Sequence, residues 1–131
     1  QAHKIEIYKK IASIRNIDDM YKIEEEIRER FGSIPVNTQN LLVISYIKSI
    51  ARPFKITAIT QNGKSIRIQF KDDSMIDAEK VSSILHKYNR KVTFNATSEP
   101  YFIYKVSTMD QNKILSELRD IIEILTCHSG H

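Results

Sequence analysis

The sequence predicts an α+β fold, in which helices pack on a small and mainly antiparallel β-sheet. Two observations lead to this prediction. Apolar residues recur at helical spacing through the first 51 positions, whereas after Pro53 several short stretches alternate apolar and polar residues, as strands do. The strand candidates occur in pairs with short connections, which favours antiparallel pairing. The predicted order is three helices, two strands, one helix, two strands and one helix (ααα-ββ-α-ββ-α).

Two amphipathic helices are predicted at the start of the chain. The first covers residues 3–15, and the residues on its apolar stripe are Ile7, Ile11 and Ile14. The second covers residues 17–31 and begins after Asn16, a favourable N-cap residue. Its narrow apolar stripe consists of Met20, Ile23, Ile27 and Phe31. The outer face is acidic, because Glu25, Glu26 and Glu29 lie outside the stripe and Arg30 borders it.

A short turn joins this helix to a more apolar third helix. Gly32 suits the left-handed conformation that often follows a helix, and Pro35 suits the first position of the next one. Phe31, Gly32 and Pro35 are therefore assigned to the geometry of the turn. The third helix runs from about Pro35 to Ala51, and apolar residues cover most of its circumference, so we expect it to be sandwiched between other elements.

The first predicted hairpin follows Pro53. Phe54, Ile56 and Ala58 alternate with polar residues, as do Ile66, Ile68 and Phe70. Asn62-Gly63 lies between the two stretches, and both residues tolerate the positive φ of a tight hairpin turn.

The remainder of the chain predicts a helix, a second hairpin and a last helix. The fourth helix runs from about Asp77 to Tyr88, and the strands cover residues 92–95 and 101–106. Thr108 and Gln111 have the spacing of a capping box and open the fifth helix. Its apolar side consists of Ile114, Leu115, Leu118, Ile121, Ile122 and Leu125.

Composition places limits on the function. A chain of 131 residues with 41% hydrophobic and 27% charged residues fits one domain, which we assign to residues 1–127. Residues 128–131 are assigned to a tail or a cloning remnant, and the start at Gln1 predicts a piece of a larger protein. The single cysteine, Cys127, excludes an internal disulfide, and no apolar run is long enough to span a bilayer. The net charge of +4 forms no basic stripe.

Residue patterns for catalysis, metals or cofactors are absent from the sequence. The three glycines, Gly32, Gly63 and Gly130, are too far apart for either phosphate-binding loop motif, and no GxSxG elbow is present. Cys127, His128 and His131 are better explained as a tail than as a metal site. Asp72-Asp73 fits a turn better than a carboxylate metal site. Tyr101, Phe102 and Tyr104 fit a two-sided strand better than a base-stacking platform.

Just over half of the chain resembles a known family. The segments concerned are Tyr8 to Ser13, Ile23 to Pro35 and Asn40 to Leu42. They are similar to the C-terminal domain of the bacterial transcription-repair coupling factor, with its aromatic-basic-basic-aliphatic-Ala motif, its E-L-x-D/E-R-F-G-x-x-P turn and its x-L-L helix. Glu29 stands where the family often has aspartate, which keeps the charge. Pro53-Phe54 stands where a Lys-Leu-Gly-Ile type of junction is common.

The resemblance implies a function by contact. The family's full-length protein is a large cytoplasmic ATP-dependent DNA translocase, which removes stalled RNA polymerase and recruits excision repair through an N-terminal UvrA-binding module. Its C-terminal domain has no motor motifs. That domain folds back on the N-terminal module and masks the UvrA-binding surface until polymerase is engaged. An autoinhibitory clamp without a cofactor is therefore expected here.

The acidic face of the second helix is the candidate contact. Glu26 and Glu29 stand at i,i+3, so both carboxylates can address one partner surface, with Glu25 and Arg30 beside them. The alternative is a solvated face on which Glu26 pairs with Arg30 and Glu24 with Arg28, each at i,i+4. Both interpretations remain open at this stage.

Two other classes of function also remain open. A nucleic-acid-binding accessory domain of a repair protein would use exposed cations, for which the candidates are Lys64, Arg67, Lys71, Lys87, Arg90 and Lys91. A small enzyme would require a deep pocket with convergent titratable groups.

Overall fold

The computed structural model describes the backbone of residues 2–127 and the side chains of residues 6–127. The elements, in chain order, are α1 (Ala2–Ala12), α2 (Ile17–Phe31), α3 (Val36–Ala51), a 3₁₀ turn (Arg52–Phe54), β1 (Ile56–Asn62), β2 (Ser65–Phe70), α4 (Ala78–Tyr88), a second 3₁₀ turn (Asn89–Lys91), β3 (Val92–Asn95), β4 (Tyr101–Lys105) and α5 (Gln111–Thr126). This order confirms the predicted α+β class. The chain forms two compact units, which divide after Ile50. Residues 128–131, predicted to be a tail, lie outside the described residues.

The first unit is a cluster of α1, α2 and α3 around a small apolar core. The buried side chains of this core are Ile11, Ile14, Met20, Ile27, Leu42 and Tyr46. Helix α1 ends at Ala12, three residues before the predicted end. The N–H groups of Ser13 and Ile14 bond to carbonyls three residues back, at Lys10 and Ile11, so a tight turn replaces the last helical turn. Ile14 still joins the core from that turn.

Helix α2 begins and ends as the sequence predicts. The Asn16 Oδ1 accepts a hydrogen bond from the Asp19 N–H at 2.8 Å, which caps the first turn. At the other end Gly32 has φ of +79°, and its N–H bonds to the Arg28 carbonyl at 2.8 Å. The Pro35 carbonyl then accepts from the Gln39 N–H at 2.9 Å, so Pro35 caps α3 one residue before the helix begins.

The buried stripe of α2 differs from the prediction at its end. Met20 and Ile27 are buried, but Phe31 is 53% exposed. Phe31 is the last helical residue, and the chain turns back immediately after it, so its side chain lies beyond the core. Ile34, on the far side of the turn, packs against the core instead. Glu24, which the pattern does not place in the stripe, is only 8% exposed.

The second unit contains a four-stranded antiparallel sheet with the strand order β1-β2-β4-β3. Strands β2 and β4 are central, and their buried side chains are Ile66, Ile68, Phe70, Phe102 and Tyr104. Helix α4 contacts β3 and α5, and the Tyr88 ring meets the Tyr104 ring edge-on at 6.3 Å. The sequence predicts both hairpins but contains no signal for the β2–β4 pairing that joins them.

Strand β1 departs from the predicted alternation. Phe54 belongs to a 3₁₀ turn rather than to the strand, and Lys55 follows it in the left-handed conformation with φ of 63°. The register skips Thr57, because Ile56 pairs with Phe70 and Ala58 with Gln69. This bulge reverses the faces of the residues that follow, so Ala58 is exposed and Ile59 is half-buried.

Two local predictions of turn chemistry are wrong. Asn62 pairs with Ser65, so the hairpin turn consists of Gly63 and Lys64 rather than Asn62-Gly63. Only Gly63 has positive φ, which is the pattern of a type II′ turn. Helix α5 is capped by Asp110, whose Oδ1 accepts from the Asn112 N–H at 3.0 Å. The Thr108 hydroxyl oxygen accepts a hydrogen bond from the N–H of Asp110, which is itself the N-cap residue, so Thr108 does not cap the helix.

Within residues 2–127, no helix is both long and apolar enough to cross a membrane.

Candidate partner interface on the second helix

Glu26 lies in a charged cluster between α1 and α2. The Lys10 Nζ donates to the Glu26 Oε2 at 2.5 Å and lies 3.8 Å from the Glu6 Oε1. Arg30 lies 3.9 Å from the same Glu6 oxygen. The hydrogen bond from Lys10 lowers the pKa of Glu26, and the positive charges of Lys10 and Arg30 lower it further. Glu26 is therefore an ionised link between two helices, and it does not lie on a freely exposed outer face of α2 as the sequence predicts.

Glu24 also has a tertiary partner rather than the predicted helical one. The Gln39 Nε2 donates to the Glu24 Oε2 at 2.5 Å, which ties α2 to α3. Among the described side chains, neither the predicted Glu26–Arg30 pair nor the Glu24–Arg28 pair comes within salt-bridge distance. A carboxylate on α2 can bond either to an i,i+4 partner on the same helix or to a residue on a neighbouring helix. Helical spacing within α2 predicts only the first kind of partner, so it does not predict the bonds to Lys10 and Gln39.

Glu25 and Glu29 remain on the solvent-exposed side of α2. They stand at i,i+4, so their side chains lie on one face. Both are exposed, and neither carboxylate has an ion-pair partner in the part of the chain that the structure describes. These two carboxylates, rather than Glu26, are the available anions of the predicted acidic face.

A shallow groove of about 400 Å³ adjoins Glu25 on the same helix. Its lining residues are Asp18, Tyr21, Lys22, Glu24, Glu25 and Arg28. Tyr21 is 51% exposed, so an aromatic ring accompanies the charged groups. The face thus offers carboxylates for a cation and a ring against which an alkyl or guanidinium group can pack.

The second unit carries exposed cations rather than an acidic face. The six candidate nucleic-acid contacts, Lys64, Arg67, Lys71, Lys87, Arg90 and Lys91, are all exposed. The Arg67 guanidinium lies 3.7 Å from the centre of the Tyr101 ring and donates to the Gln69 Oε1 at 2.9 Å. Tyr101 is therefore already covered by a side chain of its own sheet. Phe102 and Tyr104 are buried, as the two-sided strand predicts.

A larger groove of about 930 Å³ lies between α4 and the second hairpin. Among its lining residues, Asp73 and His86 are the titratable ones. Asp72 lies outside it and forms the predicted turn, since its Oδ1 accepts from both the N–H and the hydroxyl of Ser74. Its pKa is lowered by those bonds and by Lys55. No group of three metal-ligand side chains forms among the residues described.

Comparison with known proteins decides the family. A model of the TRCF domain matches residues 1–81. The chain belongs to the TRCF domain family. The match contains the three segments on which the sequence resemblance rests, and it confirms that resemblance. A TRCF domain is not itself a catalytic domain.

Individual proteins similar to this TRCF domain are transcription-repair coupling factors. The factor of Borreliella burgdorferi is 26% identical over 122 residues, which are 93% of this chain and 11% of the relative. The factor of Staphylococcus haemolyticus is 35% identical over 65 residues, which are 50% of this chain and 6% of the relative. The chain thus spans only about a tenth of the length of such relatives or less.

A solved structure supports the same assignment. The crystal structure of the C-terminal domain of a transcription-repair coupling factor matches with a TM-score of 0.85 and 29% sequence identity. The match covers 95% of this chain and 80% of the other. The fold of the TRCF domain, including its second half, is therefore that of a coupling-factor C-terminal domain.

Proposed function

We propose that this TRCF domain is an autoinhibitory clamp of a transcription-repair coupling factor. The clamp packs on the N-terminal UvrA-binding module of the parent protein and masks it until RNA polymerase is engaged. UvrA and RNA polymerase are then indirect partners. Family membership supports the setting in DNA repair. Among the side chains that the structure describes, the carboxylates of Glu25 and Glu29 have no ion-pair partner, and this observation supports a contact on α2.

Unpaired carboxylates on a rigid helix suit recognition of arginine. Each carboxylate accepts two parallel hydrogen bonds from a guanidinium, which gives both strength and orientation. Glu26 stays ionised, but its Oε2 accepts a hydrogen bond from Lys10, whose positive charge offsets most of its negative potential. In this proposal Glu25 and Glu29 make the principal contacts, and Glu26 and Arg30 have supporting roles at the border.

The energetic requirement of such a clamp is modest. A cover within the same molecule acts at a high effective concentration, so it needs no strong intrinsic affinity. A preference of about 3 kcal/mol for the closed state holds the open fraction near one per cent. A few desolvated carboxylate–arginine pairs reach that range.

Binding in trans tests the proposal. The chain is titrated against the isolated N-terminal UvrA-binding module by calorimetry, with the double variant Glu25→Arg and Glu29→Arg beside it. We expect binding to weaken by about tenfold or more, because attraction is replaced by repulsion at a close contact. A matched control reverses Glu99 and Asp120, exposed carboxylates of the second unit. Absence of binding by the unmodified chain would refute the clamp, and equal binding by both double variants would refute its site.

A second variant separates the role of Glu26 from that of its link to α1. Lys10→Met removes the cation that holds Glu26 and leaves the carboxylate in place. If Glu26 contacts the partner directly, this variant binds at least as tightly as the unmodified chain. If Glu26 serves only to join the helices, Lys10→Met and Glu26→Gln weaken binding to the same extent.

The nucleic-acid alternative has its own measurement. DNA retention at low ionic strength that falls steeply with added salt would favour it over the clamp.

A further inference from the structure

We propose that the groove between α4 and β3 binds an extended peptide, which adds to β3 as a fifth strand. The peptide carries aliphatic side chains at alternate positions and carboxylates at its C-terminal end. This site lies wholly within the second unit and does not depend on the proposed contact on α2.

Strand β3 has a free edge. It pairs with β4 on one side, and it is the terminal strand in the order β1-β2-β4-β3. Within the described part of the chain, no strand pairs with its other side. The outward N–H and C=O groups of an edge strand can bond to another extended segment, which is the basis of peptide recognition by strand addition.

The groove lies where the side chains of such a strand would point. Helix α4 supplies Val81, Ser82, Leu85 and His86 from one face, and β3 supplies Phe94. Phe94 pairs with Phe102 across the sheet, and their ring centres are 4.7 Å apart, so both lie on the helix-covered face. Every second residue of an added strand faces the same way as Phe94. Its aliphatic side chains would therefore enter a groove of about 930 Å³ whose apolar lining residues include Val81, Leu85 and Phe94.

Positive charge marks one end of this edge. Lys87, Arg90 and Lys91 are all exposed, and Arg90 and Lys91 directly precede Val92, the first residue of β3. None of the three has a carboxylate within salt-bridge distance among the described side chains. All observed strand pairs are antiparallel, and an antiparallel addition brings the C-terminal end of the peptide to these cations. Carboxylates at that end complete the charge match.

The turn that places these cations is itself strained. Asn89, which lines the groove, has φ of 48° and ψ of −127°, a conformation that non-glycine residues rarely adopt. Such strain persists where the surrounding structure holds it, and it recurs at binding sites. It supports the choice of this groove but does not by itself define the ligand.

The probe is a labelled hexapeptide with the sequence Thr-Val-Thr-Val-Glu-Glu and a free C-terminus. Its binding to the full chain is measured by fluorescence anisotropy and compared with that of a Thr-Val-Thr-Val-Lys-Lys peptide. We expect the acidic peptide to bind at least about tenfold more tightly, since two favourable cross-strand charge pairs become repulsive in the basic one. Amide exchange of Phe94 should slow on binding, because the register places Thr93 and Asn95 in hydrogen-bonded pairs with β4 and leaves the N–H group of Phe94 pointing toward the free edge.

Neighbouring serines provide a matched pair of variants. Ser82 lines the groove and Ser83 does not, although both are exposed on α4. Ser82→Trp should block the groove and reduce binding by about tenfold or more, whereas Ser83→Trp should leave it unchanged. Reversal of Arg90 and Lys91 to glutamate should also weaken binding, and the same charge change at Lys64 and Lys113 should do so much less.

Three results would overturn the proposal. These are no saturable binding of the acidic peptide, equal effects of the two tryptophan variants, and equal effects of the two charge reversals. The last result would indicate only a general attraction between a basic chain and an acidic peptide.

Discussion

The hydroxyl of Tyr104 provides a sharp test of the core of the second unit. Tyr104 is 1% exposed, and its hydroxyl oxygen is inaccessible to solvent and has no hydrogen-bond partner among the described residues. A buried polar group without a partner costs about 1–3 kcal/mol of desolvation. The variant Tyr104→Phe removes that group and keeps the ring in its edge-on contact with Tyr88. We therefore expect stabilisation of about 1 kcal/mol.

The expected shift is measurable by thermal denaturation. For a chain of 131 residues the unfolding entropy is about 0.28 kcal/mol/K, so 1 kcal/mol corresponds to roughly 4 °C. Circular dichroism should show an increase of that order in the midpoint for Tyr104→Phe. As a control, Tyr104→Ala removes the ring and should cost about 3–5 kcal/mol. A drop of 1 kcal/mol or more for Tyr104→Phe would contradict the reasoning, because it would show that the hydroxyl makes a favourable bond.

Three further predictions concern the first unit. The pKa of Glu26 is lowered in the folded protein, so its contribution to stability is present above its ordinary pKa of 4.5 and is lost as pH falls through the lower folded value. In urea titrations below pH 4.5, the free energy of unfolding of Glu26→Gln should therefore depend less on pH than that of the unmodified chain. Gly32→Ala should cost about 1–2 kcal/mol from backbone strain alone, since its φ is +79° and, beyond its two chain neighbours, no atom of the described residues lies within 4 Å of the added Cβ. Phe31→Ala should cost less than about 1 kcal/mol and Ile27→Ala about 2–5 kcal/mol, and equal losses would mean that Phe31 is packed after all.

Corrections to the predicted elements occur where two signals in the sequence are equally good. Thr108 and Asp110 can both cap a helix, and the structure uses Asp110. Asn62 and Gly63 can both adopt positive φ, and the pairing of Asn62 with Ser65 places the turn one residue later. The bulge at Thr57 has no sequence signal, because either Ala58 or Ile59 could be the apolar residue that faces the core after Ile56.

The candidate contact on α2 shows the same limit more clearly. Helical spacing correctly identifies an acidic helix but cannot rank its carboxylates. Glu24, Glu25, Glu26 and Glu29 have the same chemistry, and only their neighbours on α1 and α3 distinguish them. Lys10 donates a hydrogen bond to Glu26, and Gln39 donates one to Glu24. Among the described residues, Glu25 and Glu29 have no ion-pair partner.

The sequence by itself determined the fold class, the order of elements and the family. Those properties depend on local periodicity, caps and short motifs, and each of these signals comes from residues that are close together in the sequence. Only the tertiary structure decided which strand is an edge, which carboxylates are paired and where Phe31 lies. These depend on residues distant in sequence, and the free energy of a side chain is set by the neighbours that the fold brings to it.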